Sequence, residues 1–491
     1  MAPHPLATRT FRLLHLSLAL AIVACSDSTG PRLSPGEPGL HIIAGGGTTD
    51  TVAAILPQAI VAEVRDARGL PMPGVVVHFS ALPVDSAHPY NLTAYVRRIQ
   101  DDFIRNAADD TTDGTGRARV QVALGKVAGP VSVVVRVDAE PGADTVRYTA
   151  QPGHAARVIA SVHDTAVLAG RTLSVGAKVT DIWGNVRSGD PVSFNVDSGK
   201  ITVDANGTIT TTDPTRARVT VHGGTGTDVV YLSVVPAGTM AMVYFTGGLA
   251  TAQVATVNLD GTNLTLLTPI TSTIAAPQWR PDASLIVFQD TDPTSGYGHL
   301  FTVDLAGHRQ PLIAQLPDSV LAEERPRYVA TNDWVYFDAY VKTLTPYLWR
   351  VRPDGTGAES VPTSLPETVG WQAAPSPDNT RLLYSGMYSM DIASGVSTFV
   401  TAGSAPTWSP DGTRIAYLAS GTLSIMNADG SGARPLSTMH HYDGNFAPSW
   451  SSDGRWIVLR GPEGNDLISA ATGEVIPLPW ALHVYQPSLK P

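Results

Sequence analysis

One cysteine, Cys25, is all the chain contains, so no disulfide forms within it and no thiolate cage for a metal can be assembled. Charge is also sparse. Asp, Glu, Lys and Arg make up 15% of the 491 residues, and acids outnumber bases 43 to 33 for a net charge of −10. With no basic stripe to displace phosphate counterions, nucleic acid is excluded as a partner. No apolar run beyond the N-terminal segment reaches the roughly 20 residues that a membrane-spanning helix needs. Catalytic signatures are missing too: the sequence has no G-x-S-x-G elbow, no H-E-x-x-H pair and no P-loop. What is abundant is Thr, Ser and Val together with 45 glycines and 38 prolines, a composition that favours short strands and turns over helices. At about 150 residues per domain the length implies roughly three domains.

The N-terminus reads as an export signal. Arg9 and Arg12 precede the apolar run Leu13 to Val23, which at eleven residues is too short to span a bilayer. Ile22-Val23-Ala24-Cys25 follows directly and resembles the lipobox of bacterial lipoproteins, with a small residue at −1, a branched aliphatic at −3 and then the cysteine. That resemblance implies cleavage after residue 24 and acylation of Cys25, hence a membrane anchor made of acyl chains. Cleavage removes two arginines and no acid and takes the net charge from −10 to −12. Ser26, rather than an acid, after the cysteine resembles outer-membrane sorting. Residues 25–38, with the Pro/Gly/Ser stretch Ser26 to Pro38, form a tether.

Residues 62 to 79 (AEVRDARGLPMPGVVVHF) align without gaps on residues 177 to 194 (AKVTDIWGNVRSGDPVSF) at an offset of 115. Val64 matches Val179, Asp66 matches Asp181, Gly69 matches Gly184, Val77 matches Val192 and Phe79 matches Phe194. Each copy reads as a strand, an Asp-x-x-Gly turn whose glycine takes a positive φ, and a second strand with alternate residues inward. Thr112-Asp113-Gly114-Thr115-Gly116-Arg117-Ala118 follows in the first copy, and together these motifs resemble bacterial Ig-like domains of the invasin and intimin type. The resemblance implies two β-sandwiches, 39–152 and 153–238, serving spacing and adhesion. Within the first sandwich the stretch 92 to 107 (LTAYVRRIQDDFIRNA) fits a helical face and alternating strands alike, and is expected to be a lengthened strand or a covering helix.

From residue 239 the texture changes. A turn recurs every 35 to 48 residues: Asp260-Gly261, Ala306-Gly307, Asp354-Gly355, Ser394-Gly395, Asp429-Gly430 and Thr472-Gly473. A second turn class opens most repeats, in Trp279-Arg280-Pro281-Asp282, Ser376-Pro377-Asp378, Trp408-Ser409-Pro410-Asp411-Gly412 and Trp450-Ser451-Ser452-Asp453-Gly454, and is degenerate at Tyr328 to Asn332. The first repeat lacks this opening strand, and the C-terminal Gln486-Pro487-Ser488-Leu489 matches Ala447-Pro448-Ser449-Trp450. The tail therefore completes the first repeat. The pattern in residues 405 to 437 resembles the propeller repeats of the TolB and WD-like family, which implies a six-bladed β-propeller over 239–491. The α/β domain that precedes the TolB propeller is replaced here by the Ig-like units. The expected fold is all-β: two sandwiches, then a six-bladed propeller closed by its C-terminal strand.

An acid repeated around a ring cannot be a single catalytic residue, so Asp411 and its counterparts are read as turn formers. Candidates for binding lie on the opposite rim: His440, His441 and Asp443, Asp290 and Asp292, Glu323 and Glu324 beside Arg325, Asp338, and Glu463. Carboxylates and imidazoles converging on a channel mouth can hold a divalent cation or a polar ligand. The sequence is read as a non-enzymatic, monomeric envelope protein whose propeller binds a protein or glycan partner. A glycan lyase or hydrolase using the rim acids, and a purely structural scaffold, are the alternatives.

Overall fold

The computed structural model describes residues 37–83, 92–101, 105–138, 143–247, 251–271, 273–292, 295–314, 320–341, 346–362, 373–384, 386–444, 446–480 and 484–491. Among these there is no helix. Cys25, the signal and most of the tether lie outside the described residues. The chain divides into two compact units, Met1–Ala155 with Thr180–Arg187, and Ala156–Val179 with Ser188–Pro491.

In the first unit a four-stranded sheet (Gly39–Ala44, Ile60–Arg65, Arg117–Leu124, Ala94–Arg98) faces a five-stranded one (Thr49–Thr51, Ala143–Gln151, Gly129–Val137, Val76–Ala81, Ala107–Thr111). Alternation dictates the core between them: Val64, Val77, Phe79, Val120, Val133 and Val135 are buried in one cluster. The ambiguous stretch resolves as strand Ala94–Arg98, paired with Arg117–Leu124, and Ile99 points to solvent. The turn after Ile60–Arg65 is held as the Asp-x-x-Gly pattern requires. Asp66 Oδ1 accepts from the amides of Arg68 and Leu70, and Gly69 sits at φ 76°. Asp181 builds the same turn on the amides of Trp183 and Asn185, with Gly184 at φ 90°. Residues Thr180–Arg187 group with the first unit through polar contacts. Asp181 Oδ2 accepts from Gly153 N at 2.9 Å, and Asn185 accepts from Ala128 N and donates to Lys126 O, each at 2.8 Å.

The second unit begins with the sheets Thr165–Leu168, Gly226–Val235, Thr215–Gly223, Val192–Val196 and Thr172–Ser174, Thr208–Thr211, Ile201–Val203 around Val175, Ile209, Val219 and Leu232. Gly207 is obligatory there, because a Cβ would meet Val175 O at 2.2 Å and the Phe194 ring at 2.7 Å. Six four-stranded antiparallel sheets follow. Their first strands, which contact one another around an axis, are Val484–Leu489, Ala275–Trp279, Val320–Tyr328, Ala374–Pro375, Ser404–Trp408 and Ser449–Trp450.

Apolar clusters join each sheet to the next: Val243 and Phe288 (sheets 1 and 2), Val287 and Phe337 (2 and 3), Tyr336 and Leu382 (3 and 4), Leu383 and Trp408 (4 and 5), Leu418 and Ile457 (5 and 6). Met240, Val257, Val458, Leu467 and Leu489 then join sheet 6 back to sheet 1, closing the ring. The closing strand pairs antiparallel with Thr239–Phe245 in the register Met240 to Leu489 and Val243 to Tyr485, and Leu489 N donates to Ser449 Oγ of sheet 6 at 3.0 Å.

The sandwich of the second unit docks beside this seam. Thr215 Oγ1 donates to Glu474 Oε1 at 2.6 Å, Lys200 Nζ lies 3.0 Å from Glu474 Oε2, and Ser233 Oγ donates to Pro477 O at 2.5 Å. Buried Val235 packs in the same cluster as Leu489.

Closure makes two outcomes measurable. Leu489→Ala should cost about 2–5 kcal/mol, the usual range for a buried leucine cut to alanine. Deleting residues 484–491 should lower the melting temperature further, since it strips sheet 1 of its innermost strand. A truncated chain that melts like the full one contradicts the closure.

Candidate functional site

The antiparallel order puts the turns between first and second strands, and between third and fourth, on one rim. On this turn rim Asp411 Oδ1 accepts from Ser409 Oγ at 2.5 Å and Thr413 N at 3.0 Å, while Gly412 takes φ 69°. The Ser409 hydroxyl, more than any other group, holds the Asp411 carboxyl below the usual range. Asp282 with Ser284, Asp378 with Ser376 and Thr380, and Asp453 with Ser451 repeat the arrangement. All six third-to-fourth strand glycines have positive φ, from 70° at Gly395 to 88° at Gly307. Trp408 packs between sheets, its Nε1 donating to Ala374 O of the preceding sheet at 3.1 Å. The turn-motif aspartates Asp282, Asp378, Asp411 and Asp453 are thus engaged within their own turns.

The opposite, loop rim holds the sequence candidates, which the fold distributes over separate ionic contacts. Asp290 is buried, accepts from Thr271 Oγ1 (3.1 Å) and Thr273 Oγ1 (2.8 Å), and pairs with Arg309 at 2.9 Å. Glu323, also buried, accepts from Leu300 N at 2.9 Å and lies 3.6 Å from His299 Nδ1. The Glu323 carboxylate raises the His299 pKa, with burial opposing it. Asp338 lies 3.2 Å from Arg325 Nη1, and Glu324 lies 3.7 Å from the same nitrogen. Burial pushes the Asp338 carboxyl up to about 7, with Arg325 offsetting part of that cost.

His440 and His441 do not share a ligand. His440 Nδ1 binds Asp466 Oδ2 at 2.6 Å, and Tyr442 Oη donates to the same oxygen at 3.1 Å. The His441 ring instead covers Gly421, where a Cβ would lie 2.0 Å from it. Gly461 likewise leaves room for the Asp466 carboxylate, 2.5 Å from where its Cβ would be. Asp443 and Glu463 are exposed, and Asp292 is half-buried in the turn that ends at Tyr297. Among the described residues no three His, Cys, Asp or Glu side chains are placed to hold a metal ion. The rim acids are instead spread over separate partners. The buried acids face Arg309, His299, Arg325 and His440, because a carboxylate taken out of water must be paired where it stands.

A small cavity of about 40 Å³ with mixed polar and apolar walls opens in the channel between the first strands, lined by Gln278, Arg325, Arg327 and Gln486 together with Ala276, Phe446, Ala447 and Pro487. Sequence reasoning missed Gln278, Arg327 and Gln486 as lining residues, and Arg309, His299 and Asp466 as partners of the candidates. A signal for the lining did exist. Five sheets share an X-Pro step, and aligning these repeats shows Ala at X except where Arg325 and Gln486 stand.

No protein-family model matches the chain, and no curated protein matches it. Solved structures resemble it weakly. TolB from Acinetobacter baumannii is 15% identical over 63% of this chain and 84% of that one, with a TM-score of 0.44. Oligogalacturonate lyase from Vibrio parahaemolyticus is 11% identical over 62% and 85%, at 0.35. The Escherichia coli adhesin FdeC is 16% identical over 62% and 92%, at 0.28. The ring is a β-propeller by its own strand order and cyclic packing, and these likenesses add nothing about activity.

The raised Asp338 gives a signed pH effect. Its folded form keeps a proton that the unfolded chain releases near pH 4, so stability declines as pH rises from about 4 to about 7. Asp338→Asn removes this term. The melting temperature of the wild type, measured relative to the variant, should fall across that window, and a pH-independent difference contradicts the assignment.

Proposed function

We propose that this is an exported, lipid-anchored envelope protein in which Ig-like sandwiches carry a six-bladed, TolB-like propeller that binds a protein or glycan partner on its loop rim. The observation that carries the reading is the asymmetry between the two rims. The turn-motif aspartates Asp411 and Asp453 are held by backbone amides two residues away, whereas loops on the other rim are braced by buried ion pairs, Asp290 with Arg309 and Asp466 with His440. Bracing of that kind pre-organises a recognition surface and lowers the ordering cost of binding. Exposed Asp443 and Glu463 supply contact chemistry on the same rim.

The lipobox-like Ile22-Val23-Ala24-Cys25 supports envelope anchoring, and the net charge of −10 supports a partner other than nucleic acid. We read the propeller as non-enzymatic, because Asp290 and Asp466, the most buried rim acids of sheets 2 and 6, are already engaged. The docking of one sandwich on the ring through Glu474 makes that sandwich part of a rigid head rather than a free spacer.

Two experiments test this reading. Cys25→Ser should move the chain from the membrane fraction of a bacterial host to the soluble fraction. Residues 26–491 used as bait on envelope extracts should recover a partner that is lost with Asp443→Ala and Glu463→Ala together and kept with the turn-rim variant Asp411→Ala. Equal recovery by both variants, or membrane retention without Cys25, contradicts the proposal.

A further inference from the structure

In five sheets an X-Pro step is followed by one residue and then an aromatic or leucine, at Ala276-Pro277, Arg325-Pro326, Ala405-Pro406, Ala447-Pro448 and Gln486-Pro487, while Ala374-Pro375 of sheet 4 falls at another position. In four of them X is left-handed, with φ of 50° at Ala276, 51° at Arg325, 53° at Ala405 and 50° at Gln486, and the sheet register shifts at the same place. A non-glycine residue in that region costs about 1–2 kcal/mol. Proline suits the bulge because it has no N–H to leave unpaired. Such strain repeated around the ring is a built feature, and it sets X and the residue two further on along the channel.

In sheets 1, 2 and 3, which are neighbours, these positions bring Gln486, Gln278, Arg325 and Arg327 to one small cavity. The two guanidinium groups share the nearby carboxylates unequally, and Asp338 acts on Arg327 only from beyond ion-pair distance. Arg325 has Asp338 at 3.2 Å and Glu324 at 3.7 Å. Arg327 donates from Nη1 to Pro326 O at 3.2 Å and, among the described residues, has no carboxylate within ion-pair distance. Desolvation pulls its guanidinium down to about 10, which leaves it charged at neutral pH. Gln486 accepts from Ala276 N through Oε1 at 2.5 Å, so its amide N–H groups are left to donate, and the Gln278 side chain makes no hydrogen bond to the described residues. A half-buried guanidinium with no carboxylate at ion-pair distance, flanked by amide donors, is the complement of an anion. The cavity of about 40 Å³ admits a few waters or one small group, whereas pockets for drug-sized ligands run to about 300 Å³ or more.

We propose that the propeller channel is a binding site for a single carboxylate group, held by Arg327 with Gln278 and Gln486 as flanking donors. The planar fork of a guanidinium matches a carboxylate with two parallel hydrogen bonds, which favours this anion over a spherical halide. The site does not depend on what the loop rim binds, and its test uses no envelope partner.

The probe is sodium acetate replacing sodium chloride mole for mole, with acetamide as the uncharged isostere and N-acetyl-aspartate amide as a model of an acidic side chain. Melting of residues 26–491 should rise saturably with acetate, by a few degrees at about a hundredfold excess over the dissociation constant, and should not respond to acetamide. Arg327→Leu should abolish the response while melting no lower than the wild type in chloride, because it removes a half-buried guanidinium that makes no ion pair among the described residues. A response to N-acetyl-aspartate amide as well as acetate assigns the site to a partner's side chain, and a response to acetate alone assigns it to a free small acid. No acetate response in the wild type, an equal response in Arg327→Leu, or an equal response to acetamide overturns the site. Should Arg327→Leu fail to fold, Gln278→Leu decides: a weakened acetate response supports the site and an unchanged one overturns it.

Discussion

The ring depends on one strand pairing, that of Val484–Leu489 with Thr239–Phe245. Each sheet buries its two faces only against its neighbours, so a row of six leaves an apolar face bare at either end. Bringing the C-terminal strand into sheet 1 covers both faces at once and places Leu489 in a cluster shared with Val458 and Leu467 of sheet 6. It also hides two strand edges whose free N–H and C=O groups would otherwise recruit other chains. Sheet pairing is thereby coupled to the longest sequence separation in the ring. The second sandwich adds to the same seam, with Glu474 taking Thr215 and Lys200 together.

Closure has a functional consequence, because a closed ring has a channel and two unlike rims. Turns on one rim are tight and alike. Loops on the other vary in length and sequence and are held by buried ion pairs that differ from sheet to sheet, Asp290 with Arg309 here and Asp466 with His440 there. A paired buried carboxylate braces a loop because removing either partner strands a charge away from water. Variation on one rim and repetition on the other is the division of labour expected of a scaffold that presents a recognition surface.

Much of the fold was legible because its signals are local. Asp411 bonds to Ser409 and Thr413, two residues to either side, and the positive-φ glycines act at single positions, so residue order alone carries the information. The six turns, the completing C-terminal strand and the burial of Trp408 between sheets were all readable in this way. The stretch around Ala94–Arg98 was not, because its apolar residues satisfy both periods until Arg117–Leu124 is there to pair with it. His440 and His441 looked like one cluster in sequence. The fold sends the first to Asp466 and lays the second on Gly421.

By itself, then, the sequence determined strand, turn and repeat, since each rests on interactions within a few residues or on recurrence along the chain. Tertiary structure alone decided which charges meet. Asp290 finds Arg309 across two strands, Asp338 finds Arg325 on a strand of the same sheet, and Arg327 has no carboxylate at ion-pair distance among the described residues. Coulomb and desolvation energies depend on distance and on exclusion of water, and neither is a property of sequence order.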